Sequence, residues 1–381
     1  MTKLDKLIQE LCPNGVEFKP LNTVSEMKRG TSITKKDIVE GEIPVISGGR
    51  EPAYYCDKYN REGETITVAG SGAGAGYVQY WTKPIFVCDA FSIQGNPEIQ
   101  TKYLYYFLTS IQDYIYSTKK GGGVPHVHIS SIENVSVPVP PLPVQREIIR
   151  ILDNFTELTA ELTAELTATK QQYAYYRDKL LADSKTVPQI KLSELCDIGD
   201  GLHGTPIYDD NGQYYFINGN NLSNGTITLS PQTKRIARDE YEKIKLPFSD
   251  TVLLSINGTI GNVAVYGGEN IALGKSVAYF NIRSENLFCK YLFYVLQSSR
   301  SVEYFRKNST GTTIKNLGLS TLRDYQIPLP SLEIQKRIVE VLDNFDAICT
   351  DLNIGLPAEI EARQKQYEYY RDKLLTFTPA D

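Results

Sequence analysis

The sequence predicts an α+β protein: two homologous globular α/β units separated by two long antiparallel coiled-coil helices, in a pseudo-two-fold and circular organisation. Three observations predict it. A proline-led helical stretch occurs twice, the two copies differ in length by close to one helical turn, and the segments between them repeat one order of strands, helix and Gly-rich turn.

The duplication comes first. Residues 137–155, VPVPPLPVQREIIRILDNF, match 327–345 at an offset of 190, with 9 of 19 positions identical. Residues 172–181 and 366–375 agree at 9 of 10 positions. So long a period marks a duplicated domain plus connector, not a solenoid unit. Phe155 to Gln172 is 17 residues and Phe345 to Gln366 is 21. A difference of four adds about 6 Å of helix and keeps nearly the same face inward.

The first 15 residues read as a short helix (3–12) ending at Pro13-Asn14-Gly15. Its Asp5-Lys6-Leu7-Ile8 echoes the ends of both long helices, Asp178-Lys179-Leu180-Leu181 and Asp372-Lys373-Leu374-Leu375. The chain therefore starts where each long helix ends and completes a circular repeat, with its termini near one another.

Residues 16–140 form the first globular unit. Strand-like runs lie at 44–46, 65–68, 77–80 and 85–87, then a helix at 102–117, a Gly-rich turn, a short helix near 130–134 and a strand at 135–139. Residues 141–187 form the first connector. Pro141 and Pro143 open a helix over 143–182 with no later Gly or Pro, about 60 Å long. Leu152, Phe155, Leu162, Leu166, Tyr173 and Tyr176 share one heptad face with Ile148 and Leu180, and Thr159 and Thr169 fill its weak places. Residues 159–166 read TAELTAEL.

Residues 188–330 repeat the first unit: strands at 215–217, 251–255 and 263–266, a helix at 290–298, Gly311 at the offset of Gly121, and a strand at 325–329. Residues 331–381 form the second connector, where Leu342, Phe345, Tyr367 and Tyr370 are the matching packing residues. Gly355 and Pro357 predict that this copy is two helical pieces.

Composition narrows the function. Net charge is −5, against a chain basic over its whole surface. No apolar run spans 18 residues and the N-terminus lacks a signal-peptide core, so a cytoplasmic protein with no membrane association is expected. Six cysteines without CxxC spacing fit a reducing compartment. Catalytic motifs fail one by one. Gly70–Gly76 lies between strand-like runs and reads as a tight turn with close backbone approach, not a phosphate loop. Residues 269–276 end like a P-loop but carry Glu269 where its first Gly belongs. His126 and His128 share a face but lack a third zinc ligand. Glu17-Phe18-Lys19 lacks an upstream acidic partner, and neither a [DN]PP[FYW] run nor a Ser/His/Asp signature appears. No catalytic residue, no metal site and no bound cofactor is expected.

What remains are polar, basic and Gly-rich loops at matching places. In the first unit they offer Lys28, Arg29, Thr31, Ser47, Arg50, Lys119, Lys120, His126 and His128. In the second they offer His203, Thr205, Asn218, Asn220, Asn221, Lys275, Arg306, Lys307, Thr312, Thr313 and Lys315. Arg and Lys pair with guanine edges or phosphates, Asn holds adenine by two hydrogen bonds, and hydroxyls and backbone N–H groups anchor phosphates. These are the candidate DNA contacts.

Leu142-Pro143-Val144-Gln145 and Leu332-Glu333-Ile334-Gln335, the paired LDNF and YYRDKLL runs and the TAEL repeat resemble the specificity subunits of type I restriction–modification systems, over the whole chain. The resemblance implies two target recognition domains alternating with two spacer helices, and no catalysis by this chain. It implies double-stranded DNA and two adenine-methylating subunits as partners, with or without motor-nuclease restriction subunits. S-adenosylmethionine, ATP and Mg²⁺ would be used by those partners. Gln145 and Gln335 are candidate docking residues for the methyltransferase subunits; the alternative is that both orient the helix starts. The competing reading of the whole chain is a coiled-coil adaptor whose two modules bind proteins.

Overall fold

The computed structural model describes residues 2–33, 39–182, 187–223, 225–246, 250–351 and 353–380. The chain divides into two compact units, Met1–Leu162 with Ile360–Asp381, and Thr163–Glu359. Each mixes helices with short sheets around its own apolar core.

In the first unit Thr2 caps the helix Lys3–Leu11 through a capping box with Asp5. Gly15, at φ 94°, makes the turn that follows. Val16 then donates to the Thr378 carbonyl at 2.9 Å and accepts from Ala380 N–H at 2.9 Å. The two ends of the chain thus meet inside one unit, as the circular repeat requires. Strand Phe18–Pro20 pairs antiparallel with Ser136–Pro138. The main sheet is antiparallel, in the order Ser25–Arg29, Ala90–Gly95, Thr65–Ala69, Val78–Trp81. Thr65–Ala69 is buried along its whole length, which its β-branched, uncharged sequence tolerates. A smaller sheet joins Tyr54–Cys56, Ile43–Ile46 and Phe86–Val87, the last pair parallel.

The second unit repeats the order of strand pairs and sheets. Gln189–Lys191 pairs with Gln326–Pro328. Cys196–Asp200, Val277–Ile282, Thr251–Ser255 and Val263–Val265 form the main sheet in the same order. Arg235–Ile236, Tyr214–Ile217 and Ile271–Leu273 form the smaller one, again with one parallel pair. The hairpin Leu222–Ser223/Thr226–Ile227 and the helix Arg238–Ile244 are additions of this half.

One helix expected over 102–117 is two, Thr101–Ser110 and Gln112–Ser117. Thr109 and Ser110 donate their hydroxyls to the carbonyls of Tyr106 and Phe107, competing with the helical ladder at the break. In the second unit Ser298 does the same to Val295 and caps a further helix, Ser299–Asn308. Arg306 and Lys307 therefore stand in the last turn of a helix, not in a loop. Lys28 and Arg29 likewise lie on a strand. Residues 271–273 form a buried strand, so the P-loop-like run has no phosphate cradle.

The long helix runs unbroken from Leu142 to Leu180, about 58 Å at the usual rise. Its first part belongs to one unit and the remainder to the other. Along its middle, Phe155, Thr159, Leu162, Leu166, Thr169 and Tyr173 are half-buried while most residues between them are exposed, which is the expected heptad stripe. Tyr176 and Leu180 depart from it, being 42% and 38% exposed. The second copy is two helices, Leu332–Thr350 and Leu356–Leu374. A Cβ on Gly355 would stand 2.7–2.9 Å from the carbonyl oxygens of Ala347, Asp351 and Ile348. Only glycine fits this close against the carbonyl end of the first piece.

Candidate nucleic-acid interface

Each globular unit places a Gly-rich turn of its main sheet against a short hairpin. In the first unit Lys120 and His126 exchange backbone hydrogen bonds of 2.9 and 2.8 Å around Gly121–Pro125. In the second, Thr310 and Asn316 exchange two of 2.8 Å around Gly311–Lys315. Gly121 and Gly311 both adopt positive φ, 112° and 92°. A Cβ at either would run into the carbonyl oxygen of Val124 or Ile314, so glycine is required for geometry as well as for space. Each hairpin is tied to the neighbouring turn: Gly72 N–H donates to Pro125 O at 3.0 Å, and Gly258 N–H to Lys315 O at 2.9 Å.

Around the first turn the structure gathers Arg29, His126 and His128, which line a cavity of about 250 Å3 with Asp89. The imidazoles stack in parallel, 6.0 Å between centroids, because Val127 between them points into the core. Asp89 accepts a hydrogen bond from Ser71. Lys119 lies over the Tyr116 ring at 4.3 Å and Arg50 over the Tyr77 ring at 5.0 Å. Ser47 adjoins Gly48, whose backbone packs so closely on Ser71 that a Cβ would stand 2.1 Å from its carbonyl oxygen. Thr31 is held through its N–H to Val87 O at 2.9 Å. Lys28 is the outlier: it points away from Arg29 along the strand and pairs with Glu26 at 2.6 Å.

The second unit builds two adjoining clusters. In one, His203 bonds Asp200 at 2.8 Å, Lys275 is exposed, and Asn218 accepts from Ser276 Oγ at 3.1 Å. Thr205 and Asn220 are exposed beside them. Asn221 is spent internally: its Oδ1 accepts from Asn218 N–H at 2.9 Å and its Nδ2 donates to Thr228 O at 3.2 Å. Its amide cannot offer the free edge that gripping adenine needs. In the other cluster Arg306 and Lys315 flank Gly258 and Gly261 in a cavity of about 490 Å3, with Thr312 and Thr313 exposed on the hairpin. Lys307 pairs with Glu303 at 2.7 Å on its own helix. Among the described residues no group of three or more His, Cys, Asp or Glu could hold a metal ion. Burial pushes the Cys196 thiol up to about 12 and Cys289 up to about 11, leaving both inert at neutral pH.

Gln145 and Gln335 are not surface groups; both are fully buried. Gln145 Oε1 accepts from Gln100 N–H at 2.8 Å, and Nε2 donates to Glu98 O at 3.0 Å and Pro140 O at 2.8 Å. Gln335 makes the same three bonds, to Phe288 N–H at 2.9 Å and to Asn286 and Pro330 carbonyls at 2.8 Å each. With every polar atom committed, these amides fasten the first turn of the spacer helix to the domain helix and cannot face a partner. Sequence reasoning missed their companions. Lys102 pairs with Asp153 at 2.7 Å, and Tyr106 donates to the same carboxylate. Lys290 pairs with Asp343 at 2.7 Å, and Tyr294 donates to it. Burial and the carboxylate push both phenols well above the ordinary tyrosine value. The signal was present in the duplicated KYLYY and KYLFY runs at 102–106 and 290–294.

The predicted helix contacts pair residues of the two copies within each unit. Phe155 stacks on Tyr370 at 5.4 Å, and Phe345 on Tyr176 at 5.8 Å with Tyr173 at 6.4 Å. Leu152 and Leu342 are fully buried, and Tyr367 packs on the first core. Tyr176 and Tyr370 keep 42% and 41% exposure yet still lay a ring on the phenylalanine.

Two homologous α/β domains joined through long spacer helices, with Gly-rich turns and polar loops at matching places, define a class of duplicated two-module subunit. The chain matches the type I restriction modification DNA specificity domain over residues 13–169 and again over 185–362, and belongs to that family. It is 29% identical over 401 residues to a putative type I restriction enzyme specificity subunit of Haemophilus influenzae, covering 99% of both chains. It is also 29% identical over 409 residues to an Escherichia coli type I restriction enzyme specificity subunit, covering 99% of this chain and 97% of that one. A solved type I restriction–modification structure superposes with TM-score 0.65 at 19% identity, over 95% of this chain and 98% of that one. An S subunit from M. genitalium superposes with TM-score 0.56 at 18% identity, over 95% and 96%. The protein is thus a non-catalytic DNA specificity subunit with two target recognition domains. Among the described residues no helix is long and apolar enough to cross a membrane.

Proposed function

We propose that each recognition domain reads one half of a bipartite double-stranded DNA site through its Gly-rich turn and adjoining hairpin, and that the spacer helices set the unread gap. The observation that carries this is the recurrence of one loop cluster, at one place on one scaffold, with different side chains in each copy. Arg29, Arg50, Lys119, Lys120, His126 and His128 serve one half-site. His203, Asn218, Lys275, Arg306 and Lys315 serve the other; Thr31 and Ser47 in the first domain, and Thr205, Asn220, Thr312 and Thr313 in the second, are phosphate or base partners. Exposed faces of the two spacer helices dock two methyltransferase subunits, and through them restriction subunits where these are present. S-adenosylmethionine, ATP and Mg²⁺ act in those partners, in the cytoplasm where the DNA is.

Methylome sequencing of cells carrying this chain and its methyltransferase subunit tests the reading. A single bipartite motif with one gap is expected. Variants at Lys119 and Lys120 should change only one half of it, and variants at Arg306 and Lys315 only the other. Methylation without a motif, or both halves changing together, would overturn it.

A further inference from the structure

We infer that the Lys102–Asp153–Tyr106 and Lys290–Asp343–Tyr294 clamps are positioning elements that decide how strictly the gap length is enforced, as distinct from how long the gap is. The inference rests on the bipartite reading above.

A helix of given length fixes a distance only if whatever it carries cannot tilt. Each clamp crosses from a domain helix, Thr101–Ser110 or Cys289–Gln297, to the spacer helix, about three turns after the spacer begins. In each half one carboxylate receives an ammonium at 2.7 Å and a phenol. A carboxylate held by a charge and a hydroxyl is directional, so rotation about the joint breaks both bonds together. The carboxylates are about one-third exposed, so the bond to the largely buried tyrosine carries more of the restraint than the ammonium does. A second tyrosine closes each joint from inside: Tyr103 donates to Pro138 O at 3.1 Å, and Tyr291 to Pro328 O at 2.9 Å.

Duplication supplies the second argument. The two domains share few loop residues, yet both halves keep Lys, Tyr, Tyr and Asp in the same contacts. Packing alone would accept phenylalanine at Tyr106 and Tyr294; the retained hydroxyl and its acceptor indicate a demand on angle. The lever is long. For a domain of this size the reading loops stand about 20 Å from such a joint. A swing of about 10° then displaces them by about one base-pair rise, 3.4 Å.

The test uses the full complex of this chain with its methyltransferase subunits. The substrate is a DNA library holding both half-sites with the gap varied one base pair at a time, read by methylation sequencing. Wild type should methylate one gap. Asp153→Ala, Asp343→Ala and Tyr106→Phe should keep both half-sites and the preferred gap. Methylation of gaps off by one base pair, relative to the preferred gap, should rise about tenfold, the equivalent of losing one strong contact's restraint. If an alanine variant fails to fold, Tyr106→Phe and Tyr294→Phe, which keep the ring and the ion pair, are read instead. A folded clamp variant with a gap profile unchanged from wild type overturns the inference, as does a change in the bases read. If wild type itself shows no bipartite preference, the proposed function fails before the clamps are reached.

Discussion

Gln145→Leu tests whether the glutamine of the Leu-Pro-Val-Gln run is structural or a docking residue. Leucine keeps most of the volume and removes the amide. That leaves Gln100 N–H and the carbonyls of Glu98 and Pro140 without the partner they have now. A buried polar group stripped of its partner costs about 1–3 kcal/mol, and an under-satisfied carbonyl less than an orphaned N–H. Roughly 3–5 kcal/mol is expected in all. For a unit the size of Met1–Leu162 with Ile360–Asp381, each kcal/mol lowers Tm by about 2–4 °C, so the shift should be about 6–20 °C. Calorimetry should show it in the transition of that unit alone, and Gln335→Leu should move the other. Affinity of the folded protein for methyltransferase subunits should be unchanged. A Tm within about 2 °C of wild type, together with lost docking, would refute the buried-anchor argument and return the side chain to a surface role.

Other perturbations follow from single features. Deleting one TAEL copy, residues 159–162, removes about 6 Å of helix and should shorten the unread gap by about one to two base pairs, with both half-sites unchanged in the methylome. Gly355→Ala should destabilise the second unit by about 1–3 kcal/mol in denaturant melts, because its methyl group meets three carbonyl oxygens. Arg150 and Lys3 hold the buried Glu147 carboxylate at about 2 when folded, below its ordinary 4.5. The stability it contributes is therefore complete above pH 4.5 and is lost as pH falls through about 2. The Tm difference between wild type and Glu147→Gln should shrink from about pH 6 to about pH 3 in circular-dichroism melts. Arg306→Ala and Lys315→Ala should each lower the slope of log affinity against log salt by about 0.9 if each contacts one phosphate.

How far the fold could be read depended on which residues the duplication repeats. The long helix, its partition in the second copy and the meeting of the termini were legible, because proline, glycine and heptad positions act locally and appear twice. Thr65–Ala69 and Thr251–Ser255 were legible as apolar runs. The sheet partners Ser25–Arg29 and Ala90–Gly95 were not: SEMKR and AFSIQG have no clear alternation, and their pairing is decided by neighbours distant in sequence. Helix Ser299–Asn308 was missed because RSVEYFRKN is mostly polar and rests only Ser301 and Phe305 inside. Within the proposed interface, residue type pointed to the loops but not to orientation. Asn221 turned inward and Lys28 turned away, outcomes set by a capping pattern and by strand parity.

Identity between the two halves therefore carries two meanings that only coordinates separate. At Gln145 and Gln335 it records a hydrogen-bonding demand inside the fold. At Phe155 and Phe345 it records a surface each copy offers the other, Phe155 to Tyr370 and Phe345 to Tyr176. The first kind should tolerate no change, since three backbone groups depend on one buried side chain. The second should tolerate exchange between aromatics, since stacking asks for a ring and not for a particular one. Difference between the halves has a single meaning. Where the scaffold is the same and the loops are not, as at Gly121–Pro125 against Gly311–Lys315, the divergence is what the proposed reading role requires, and the joints that hold the loops stay the same.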